Sequence, residues 1–366
     1  MKEFKIVIAC GGTGGHIFPA VALAEDIKNL YPGATICFAG VFNGRIANHL
    51  RDSGFRVYHI KGRGMPHKPG LGVLFFAYSA IASFIKALAV LRNTDAGIVV
   101  SMGSFSGAPF VFAGKLLGMP VLIHEQNVMP GRANRLCSYF ADKIAISFED
   151  TAQFFSKKIK RRIIVTGNPV RSSIFTARRA EALEFFGFKA GKFTIMLTGG
   201  SQGAHNVNAV FTQAAKQLDP ERFQILHLCG EKDYDFVSGE YKNINADAKV
   251  FAFLEEMDKA YAISDLVISR AGATTIAEIA AMGLAAILIP YPYGDRHQSR
   301  NAYFLRDRKA ALVIEENNLT KDRLVATINE VFAGCENLQC LRKNSSSQGA
   351  RGAAGKLSKE VVNFLL

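Results

Sequence analysis

Short apolar runs, rich in β-branched residues, alternate along this chain with longer segments of helical periodicity. Such runs are typical of strands buried on both faces, as in a parallel sheet covered by helices. Because helical segments separate the runs, the pattern predicts an α/β fold built from consecutive strand–helix–strand units. The predicted strands are Phe4–Ala9, Thr35–Ala39, Gly97–Ser101, Val121–His124, Arg161–Val165, Phe193–Leu197, Gln224–Leu228, Lys249–Phe253, Leu266–Ile268 and Ala285–Pro290.

Glycine-rich turns follow three predicted strands, and each precedes a helix: Gly11–His16, Gly103–Pro109 and Gly199–Ala204. A fourth helix start lies at Gly272. The first amides of a helix have no partner within it, and together with the helix dipole they form a site for anions such as phosphate. On the residues alone, the turn at Gly272 is either such a site or an ordinary connection between a strand and a helix.

The opening pattern of strand, glycine-rich turn and helix recurs at Phe193, roughly half the chain after Phe4. A chain of 366 residues is also long for a single hydrophobic core. We therefore predict two Rossmann-like domains facing a cleft, with a hinge at Thr166–Arg171. The predicted parts are residues 1–166, residues 167–355 with a polar linker at Asn344–Gly355, and a closing helix, Lys356–Leu366.

The first glycine-rich turn is not a dinucleotide fingerprint. A GxGxxG pattern that starts at Gly12 has Ile17 in the third glycine position. The second strand ends in Gly40–Asn43, which offers no acidic residue for an adenosine ribose. The chain also lacks the GxxxxGK[ST] loop of the P-loop enzymes. The sequence therefore disfavours both a dehydrogenase and a P-loop NTPase.

The chain is basic and its cysteines are scattered. Its net charge of +13 comes from 44 basic and 31 acidic side chains, which indicates nucleic acid, an anionic membrane surface or anionic substrates as partners. The densest basic run, Lys157–Arg162, has no aromatic-rich nucleic-acid motif beside it, so nucleic acid ranks last. The six cysteines include no CxxC pair, and we expect free thiols in a reducing compartment. Met1–Ile8 enters a strand directly, so we expect no secretory signal.

The most apolar stretch of the chain is Leu71–Leu91. It contains Gly72 and Lys86, which makes it a marginal membrane span. A helix that is apolar on every side is either deeply buried or in contact with lipid. We expect burial for most of its surface.

Two polar features bear on catalysis. His16 follows four glycines at a strand end, where bulky core packing is least expected, so we favour a functional side chain over a simple hydrogen bond at the helix start. Asp233-Tyr234-Asp235 has the DxD form of metal-dependent glycosyltransferases. Because Lys232 adjoins this motif, we favour an exposed, charged helix start there.

Seven motifs in order give the chain a family resemblance: GGTGGHIFP at Gly11–Pro19, GSFSGAP at Gly103–Pro109, Glu125-Gln126-Asn127, GNPVR at Gly167–Arg171, GGSQGA at Gly199–Ala204, Arg270–Glu278, and DRHQSRN at Asp295–Asn301. Together they resemble the MurG family, the membrane-associated transferases that add N-acetylglucosamine to the lipid-linked precursor of peptidoglycan. The resemblance covers nearly the whole chain. It implies the GT-B architecture, with the last helix crossing back to the first domain.

The resemblance also implies roles for individual residues. It assigns UDP-N-acetylglucosamine mainly to the second domain, where uracil would lie near Leu254 and the ribose on Glu278. The diphosphate would bind to Ser201, Ala273, Thr274 and Thr275. Asn127 and Gln298 would bind sugar hydroxyls, and Arg171 would lie in the same pocket. Thr13, Gly14 and Gly15 would face this donor, and Gly103, Ser104, Ser106 and Gly107 would bind the acceptor's pyrophosphate. The family reaction inverts the anomeric carbon by direct displacement. It needs a base for the acceptor's 4-hydroxyl, here assigned to His16, and no cofactor or metal.

The lipid-linked acceptor implies attachment to the cytoplasmic face of the cell membrane as a peripheral protein. Since the chain has no tryptophan, we assign aromatic anchoring to Phe75, Phe76 or Phe84. Lys68, Lys86 and Arg92 would supply the flanking positive charge for an anionic surface.

Two other functions fit parts of the same pattern. One is another enzyme on this scaffold, either a sugar-nucleotide 2-epimerase or a glycosyltransferase acting on diacylglycerol. An epimerase is expected to carry carboxylates and a basic motif after the first strand, where this chain has Gly11–His16. The other is a regulatory protein that binds a UDP-sugar as a signal.

Overall fold

The structure is a computed structural model that describes residues 4–12, 14–60, 62, 71–200, 203–293 and 296–366, with side chains from residue 75 onward in the helix that begins at Leu71. It divides into two compact units, Met1–Arg171 with Arg351–Leu366, and Ser172–Ala350. The sequence boundaries, after residues 166 and 355, lie a few residues from these divisions. Arg171 therefore belongs to the first unit, and not to the donor domain in which the sequence analysis placed it.

Seven parallel strands form the sheet of the first unit, in the order β3-β2-β1-β4-β5-β6-β7. They are β1 Lys5–Gly11, β2 Thr35–Val41, β3 Arg56–His59, β4 Ile98–Ser101, β5 Val121–Glu125, β6 Lys143–Ile146 and β7 Ile163–Val165. The sequence pattern does not predict β3 or β6. The edge strand β3 has no fully buried residue and β6 has three apolar residues, so neither produces a long apolar run.

Six parallel strands form the sheet of the second unit, in the order β10-β9-β8-β11-β12-β13. They are β8 Phe193–Thr198, β9 Phe223–Leu228, β10 Ala248–Phe251, β11 Leu266–Ser269, β12 Ala285–Leu288 and β13 Leu312–Val313. In each unit the first strand lies between its successor and a later strand. Ligands of open parallel sheets bind outside the carboxyl ends of the strands at such a switch point.

Helices connect the strands of both sheets. They are α1 Gly14–Leu30, α2 Gly44–Asp52, α3 Leu71–Asn93, α4 Ala108–Leu116, α5 Arg132–Cys137, α6 Lys157–Lys160, α7 Arg179–Phe186, α8 His205–Ala215, α9 Tyr234–Lys242, α10 Met257–Ile263, α11 Ala273–Met282, α12 His297–Asp307, α13 Lys321–Ala333, α14 Cys335–Gln348 and α15 Ala353–Val362. Short 3-10 turns lie at Glu149–Phe154, Ser172–Phe175, Glu231–Asp233 and Glu316–Asn318.

Strand β1 shows how the first unit builds two core layers from one apolar run. Successive side chains of a strand point to opposite faces. Ile6, Ile8 and Cys10 therefore pack into the layer that contains α1 and α15, whereas Val7 and Ala9 pack into the layer that contains α3 and α4. Burial on both faces explains why the run is continuously apolar and does not alternate.

The C-terminal helix α15 belongs to the core of the first unit. Leu357 and Val361 are fully buried in the same cluster as residues of α1. At the edge of this helix, Lys143 of β6 donates a hydrogen bond to Glu360. The last helix thus packs on the N-terminal unit from a sequence position more than 300 residues away.

The prediction of a linker at Asn344–Gly355 is wrong for most of its length. Helix α14 continues to Gln348 and α15 begins at Ala353, so only Gly349–Gly352 connects them. The small residues of this segment instead allow close packing against α11. A Cβ atom at Gly349 would lie 2.4 Å from the carbonyl oxygen of Ala280, so a larger residue does not fit there.

The expectation that most of α3 is buried is also wrong. One side of the helix packs on the sheet through Ala87, Val90 and Leu91. The opposite side exposes a stripe of large apolar residues, which we call the α3 stripe: Phe75, Tyr78, Ile81 and Ile85. Among the described residues, Phe75–Asn93 is the one helix long and apolar enough to cross a membrane, and only 22% of its most apolar stretch is buried.

Candidate active site

The carboxyl ends of β1, β4 and β5 meet at one edge of the first sheet, and most of the predicted first-unit site residues lie there. Gly14 and Gly15 open α1, and His16 is the third residue of that helix. The turn after β4 carries Gly103, Ser104, Ser106 and Gly107, and Asn127 follows β5. Thr13 lies outside the described residues.

Two glycines let these strand ends approach one another closely. Gly40 has φ of 155°, and a Cβ atom there would lie 1.6 Å from the carbonyl oxygen of Cys10. Gly103 has φ of 81°, and a Cβ atom there would lie 3.2 Å from His16 Nδ1 and from the amides of Gln126 and Asn134. A side chain at Gly103 would therefore crowd the polar groups around His16.

His16 is tied to the ends of β4 and β5 through its Nδ1 atom. That atom lies 3.0 Å from the carbonyl oxygen of Met102 and 3.1 Å from Gln126 Oε1. The Gln126 Nε2 atom donates to Met102 O at 2.8 Å and lies 3.1 Å from His124 Nδ1. His124 Nε2 in turn lies 3.0 Å from the carbonyl oxygen of Gly167. The side chains of His16, Gln126 and His124 thus form one continuous hydrogen-bonded chain that ends on the backbone carbonyls of Met102 and Gly167.

His124 is fully buried in this chain. Burial lowers its pKa to about 4, since the charged ring would lose its hydration; the Gly167 carbonyl acts in the opposite direction, and His16 lowers the pKa further. His124 is therefore neutral at pH 7. Its two ring nitrogens both face partners, so it is not available to take a proton from a substrate.

Glu125 is held by four nitrogen donors. Its Oε1 atom accepts from the Asn127 backbone at 2.9 Å and from Asn127 Nδ2 at 3.1 Å, and its Oε2 atom accepts from Gly131 N at 3.1 Å and Asn134 Nδ2 at 2.8 Å. A buried carboxylate with such a set of donors shapes the loop that carries Asn127. Glu125 therefore acts as a structural residue.

The turn after β4 is compact and polar. Ser104 adopts φ of 65°, an unusual conformation for a residue with a side chain. Its Oγ atom accepts from Ser106 N at 3.1 Å and lies 2.6 Å from Ser106 Oγ. Gly107 caps α4 without a side chain, and Pro109 occupies the first turn. The amides that open α4 thus face the carboxyl edge of the sheet, where an anion is favoured.

Arg171 packs on α1 within the first unit. Its guanidinium carbon lies 4.4 Å from the centre of the Phe18 ring, a cation–π contact. Burial raises the pKa of Glu25 in the same helix, and the nearby charges of Arg171 and His49 oppose that shift. The buried Nε atom of Arg171 has no hydrogen-bond partner among the described residues.

In the second unit, α11 begins directly after β11, and side chains of α12 fix the peptide before it. Gln298 Oε1 accepts from Ala271 N at 3.2 Å and from Tyr291 N at 3.0 Å. Asn301 Nδ2 donates to Ala271 O at 3.1 Å. Both polar atoms of the Ala271 backbone are thus held, which fixes the direction of the helix start at Ala273, Thr274 and Thr275.

Glu278 lies one turn further along α11 and is 6% exposed. Tyr261 on α10 donates its hydroxyl to Glu278 Oε2 at 2.8 Å, which holds the carboxylate in one orientation. Leu254 is buried in the loop after β10. Ser201 lies outside the described residues. At Gly203, which precedes α8, a Cβ atom would lie 2.7 Å from Cys229 O.

The Asp233-Tyr234-Asp235 segment opens α9 after a 3-10 turn. Asp233 accepts from Asn208 Nδ2 at 2.7 Å and lies 2.9 Å from His205 Nδ1. Its carboxylate is therefore engaged with two neighbouring side chains. Asp235 lies in the first turn of α9, where an acidic side chain complements the helix dipole.

Sequence reasoning missed three residues of these networks. Gln126 stood inside a recognised motif, but only the structure shows that it bridges two histidines. Asn301 ended another motif without an assigned role. Tyr261 gave no signal at all, because an aromatic residue on a helix is typical of core packing.

Comparison with known proteins places this geometry in a family. Residues 6–146 match the model of the glycosyltransferase family 28 N-terminal domain, and residues 194–357 match that of its C-terminal domain. A protein of Thermodesulfovibrio yellowstonii is 36% identical over 99% of both chains; it is named UDP-N-acetylglucosamine--N-acetylmuramyl-(pentapeptide) pyrophosphoryl-undecaprenol N-acetylglucosamine transferase. The crystal structure of Acinetobacter baumannii MurG matches 99% of this chain and 100% of its own, with a TM-score of 0.76 and 27% identity.

The chain belongs to the MurG family. The predicted family and the predicted fold class, an α/β protein with two Rossmann-like domains of the GT-B type, are both confirmed. MurG membership also makes the chain a glycosyltransferase. A putative UDP-N-acetylglucosamine 2-epimerase of Listeria monocytogenes has a TM-score of 0.74 at 12% identity, which shows a shared fold alone.

Proposed function

We propose that this chain transfers N-acetylglucosamine from UDP-N-acetylglucosamine to the 4-hydroxyl of undecaprenyl-pyrophosphoryl-N-acetylmuramoyl-pentapeptide, in peptidoglycan biosynthesis. The observation that carries this function is the full-length match, at 36% identity, to a relative named for that transfer. The match extends through both sheets and both sets of strand-end residues. A match to the nucleotide-binding half alone would support the donor but would give no support for the acceptor.

We assign the donor nucleotide to the second unit. The fixed carboxylate of Glu278 accepts hydrogen bonds from the ribose hydroxyls, and the helix start at Ala273–Thr275 lies where a diphosphate is favoured. Because Gln298 Oε1 is held by two backbone amides, only its amino group faces a ligand as a donor. Gln298 therefore donates a hydrogen bond to a sugar oxygen, which acts as the acceptor.

We assign the acceptor pyrophosphate to the turn Gly103–Gly107 and the helix start at α4, where backbone amides bind an anion without lysine. His16 is then the base that takes the proton of the attacking hydroxyl. The structure supports this role by elimination, because His124 has both nitrogens engaged and Glu125 is held by four donors. The helix start of α11 would stabilise the charge that develops on UDP as it leaves.

Because the proposed acceptor is linked to lipid, we assign the enzyme to the cytoplasmic face of the cell membrane. The α3 stripe supports a peripheral contact there, because its residues recur every three or four positions on one side of a helix whose other side is packed on the sheet. Lys86 and Arg92 are exposed along the same helix. The positive net charge then serves anionic lipid and diphosphate substrates, and not nucleic acid. Lys68 lies outside the described residues.

The transfer itself is tested with radiolabelled UDP-N-acetylglucosamine and a lipid-linked or short-chain muramoyl-pentapeptide acceptor. We expect labelled disaccharide product, and we expect His16→Gln to lower kcat by ~10²–10⁴-fold, the usual loss for a general base. Donor affinity should change little. Formation of UDP-N-acetylmannosamine would indicate the epimerase, and donor binding without any turnover would indicate the regulatory protein; either result contradicts the proposal.

The donor assignment is tested by calorimetry with UDP and UDP-N-acetylglucosamine. Glu278→Gln should weaken both ligands by about 1.5–3 kcal/mol, because ribose is common to both and a charged acceptor is lost. Gln298→Glu retains the oxygen that holds Ala271 and Tyr291 but removes the amino donor. The added negative charge near the proposed diphosphate weakens both ligands, but the loss of the amino donor should weaken the sugar nucleotide more than UDP. Equal losses for both ligands at position 298 would contradict the assignment to the sugar.

The membrane contact is tested by co-sedimentation with phosphatidylglycerol and phosphatidylcholine vesicles. The Phe75→Ser, Ile85→Ser double variant should bind anionic vesicles at least about tenfold more weakly, because two exposed apolar anchors are lost. Its transfer to a short water-soluble acceptor should remain normal. Leu30→Ser is the matched control, since Leu30 is 54% exposed on α1 in the opposite helical layer. Equal losses in the two variants would contradict the assignment.

A further inference from the structure

The side-chain amide of Gln126 lies between two imidazoles and touches both. Met102 O, 2.8 Å from one end of this amide, can only accept a hydrogen bond. The amide end that faces Met102 is therefore the amino group, Nε2, and the oxygen, Oε1, faces His16. The opposite orientation would place two acceptors against each other.

This orientation fixes the proton on His16. Among the described residues, two atoms lie within hydrogen-bond distance of its Nδ1, Met102 O at 3.0 Å and Gln126 Oε1 at 3.1 Å, and both are acceptors. Nδ1 must therefore carry hydrogen. In a neutral imidazole only one nitrogen does so, and the other has a free lone pair. That nitrogen is Nε2.

The same reasoning fixes the proton on His124. Its Nε2 atom faces the carbonyl oxygen of Gly167 and must donate, which leaves Nδ1 to accept from Gln126 Nε2. Both hydrogens of the Gln126 amino group are then used, one on Met102 and one on His124. Every donor in the chain meets an acceptor, and with both rings neutral no other arrangement of the protons satisfies all of its contacts.

We propose that Gln126 is a positioning residue for the transfer reaction: held in one orientation by His124 and Met102, it keeps the His16 ring turned with Nε2 free to receive the acceptor's proton. This inference rests on the proposed function, in which His16 is the base. The proton leaves the 4-hydroxyl for Nε2 as the new glycosidic bond forms and the bond to UDP breaks. Gln126 Oε1 then accepts a stronger, charge-assisted hydrogen bond from Nδ1 of the imidazolium.

The titratable groups at the end of β5, next to His16, are His124 and Glu125, and the turn Gly103–Gly107 contains none. Burial keeps His124 neutral by lowering its pKa to about 4. On α1 itself, Glu25 lies two to three turns further along, and Arg171 stacks on Phe18. The chain from Gly167 to His16 therefore contains one site that gains a proton during the reaction, His16 Nε2.

The first test compares the full-length protein with Gln126→Met, which preserves length but removes both hydrogen-bonding groups. We expect kcat to fall by about 10- to 100-fold, as for loss of a hydrogen bond to a charged group, with KM for UDP-N-acetylglucosamine within about twofold. The acidic limb of the pH–rate profile should move to lower pH, because the protonated ring loses an acceptor. Ser147→Ala is the control: it removes a 3.0 Å hydrogen bond to Glu125 O at the same strand end and should move neither kcat nor the limb.

The second measurement is independent of activity. The ¹⁵N resonances of the His16 ring in the parent protein, assigned by their absence in His16→Gln, report which nitrogen carries the proton. We expect Nδ1–H and a bare Nε2 in the neutral ring. A proton on Nε2, or a Gln126→Met variant with unchanged kcat and pH profile, would overturn the positioning role. Absence of transfer in the parent would instead overturn the proposed function, while the resonances would still decide the tautomer.

Discussion

A backbone constraint shared by the two units underlies this site: all strands are parallel, so all of their carboxyl ends lie at one edge of each sheet. In each unit the first strand lies between its successor and a later strand, and it leads through a glycine-rich turn into a helix. The amides that open such helices point toward that edge and have no intrahelical acceptor. Each unit therefore presents a set of directed donors, and a diphosphate is the ligand that suits them.

Amide side chains hold these strand ends in a similar way in the two units. In the first unit, Gln126 donates to the carbonyl oxygen of Met102, directly after β4. In the second, Asn301 donates to the carbonyl oxygen of Ala271, shortly after β11. Each contact fixes a peptide between a strand and a helix start to which we assign a phosphate group, where the sheet no longer supplies hydrogen bonds. The direction of the amides thus depends on side chains that need not touch a ligand themselves.

The sequence predicts the parts of the fold that depend on local patterns. Continuous apolar runs indicate strands such as β1 and β8, and glycine clusters mark the turns that follow them. Exposure is less predictable: α3 is apolar on both sides, and only the packed positions of Ala87 and Leu91 show which side is buried. The segment around Ser346 has the small, polar composition of a linker, but its small side chains allow it to pack closely against α11.

In the candidate site, too, some residues can be predicted from the sequence and others cannot. Glycines and the positions of His16 and Glu278 follow from motifs, since each stands at a fixed distance from a strand end. The partners that orient them do not, because Gln126 reaches His16 across 110 positions and Tyr261 reaches Glu278 from another helix. Hydrogen-bond geometry between distant segments leaves no periodic trace in a sequence. Such residues become visible only when the sheet order is known.

Binding of uridine and UDP tests most directly whether helix-start amides, fixed in direction by side chains, hold the phosphates. Asn301→Leu removes the hydrogen bond to Ala271 O but keeps the size of a side chain that is fully buried. We expect UDP to bind about 10-fold more weakly, within the range for losing one directed contact. Uridine, which has no phosphate, should keep its affinity. Equal loss for uridine and UDP, or no loss for either, would contradict this role of the helix-start amides.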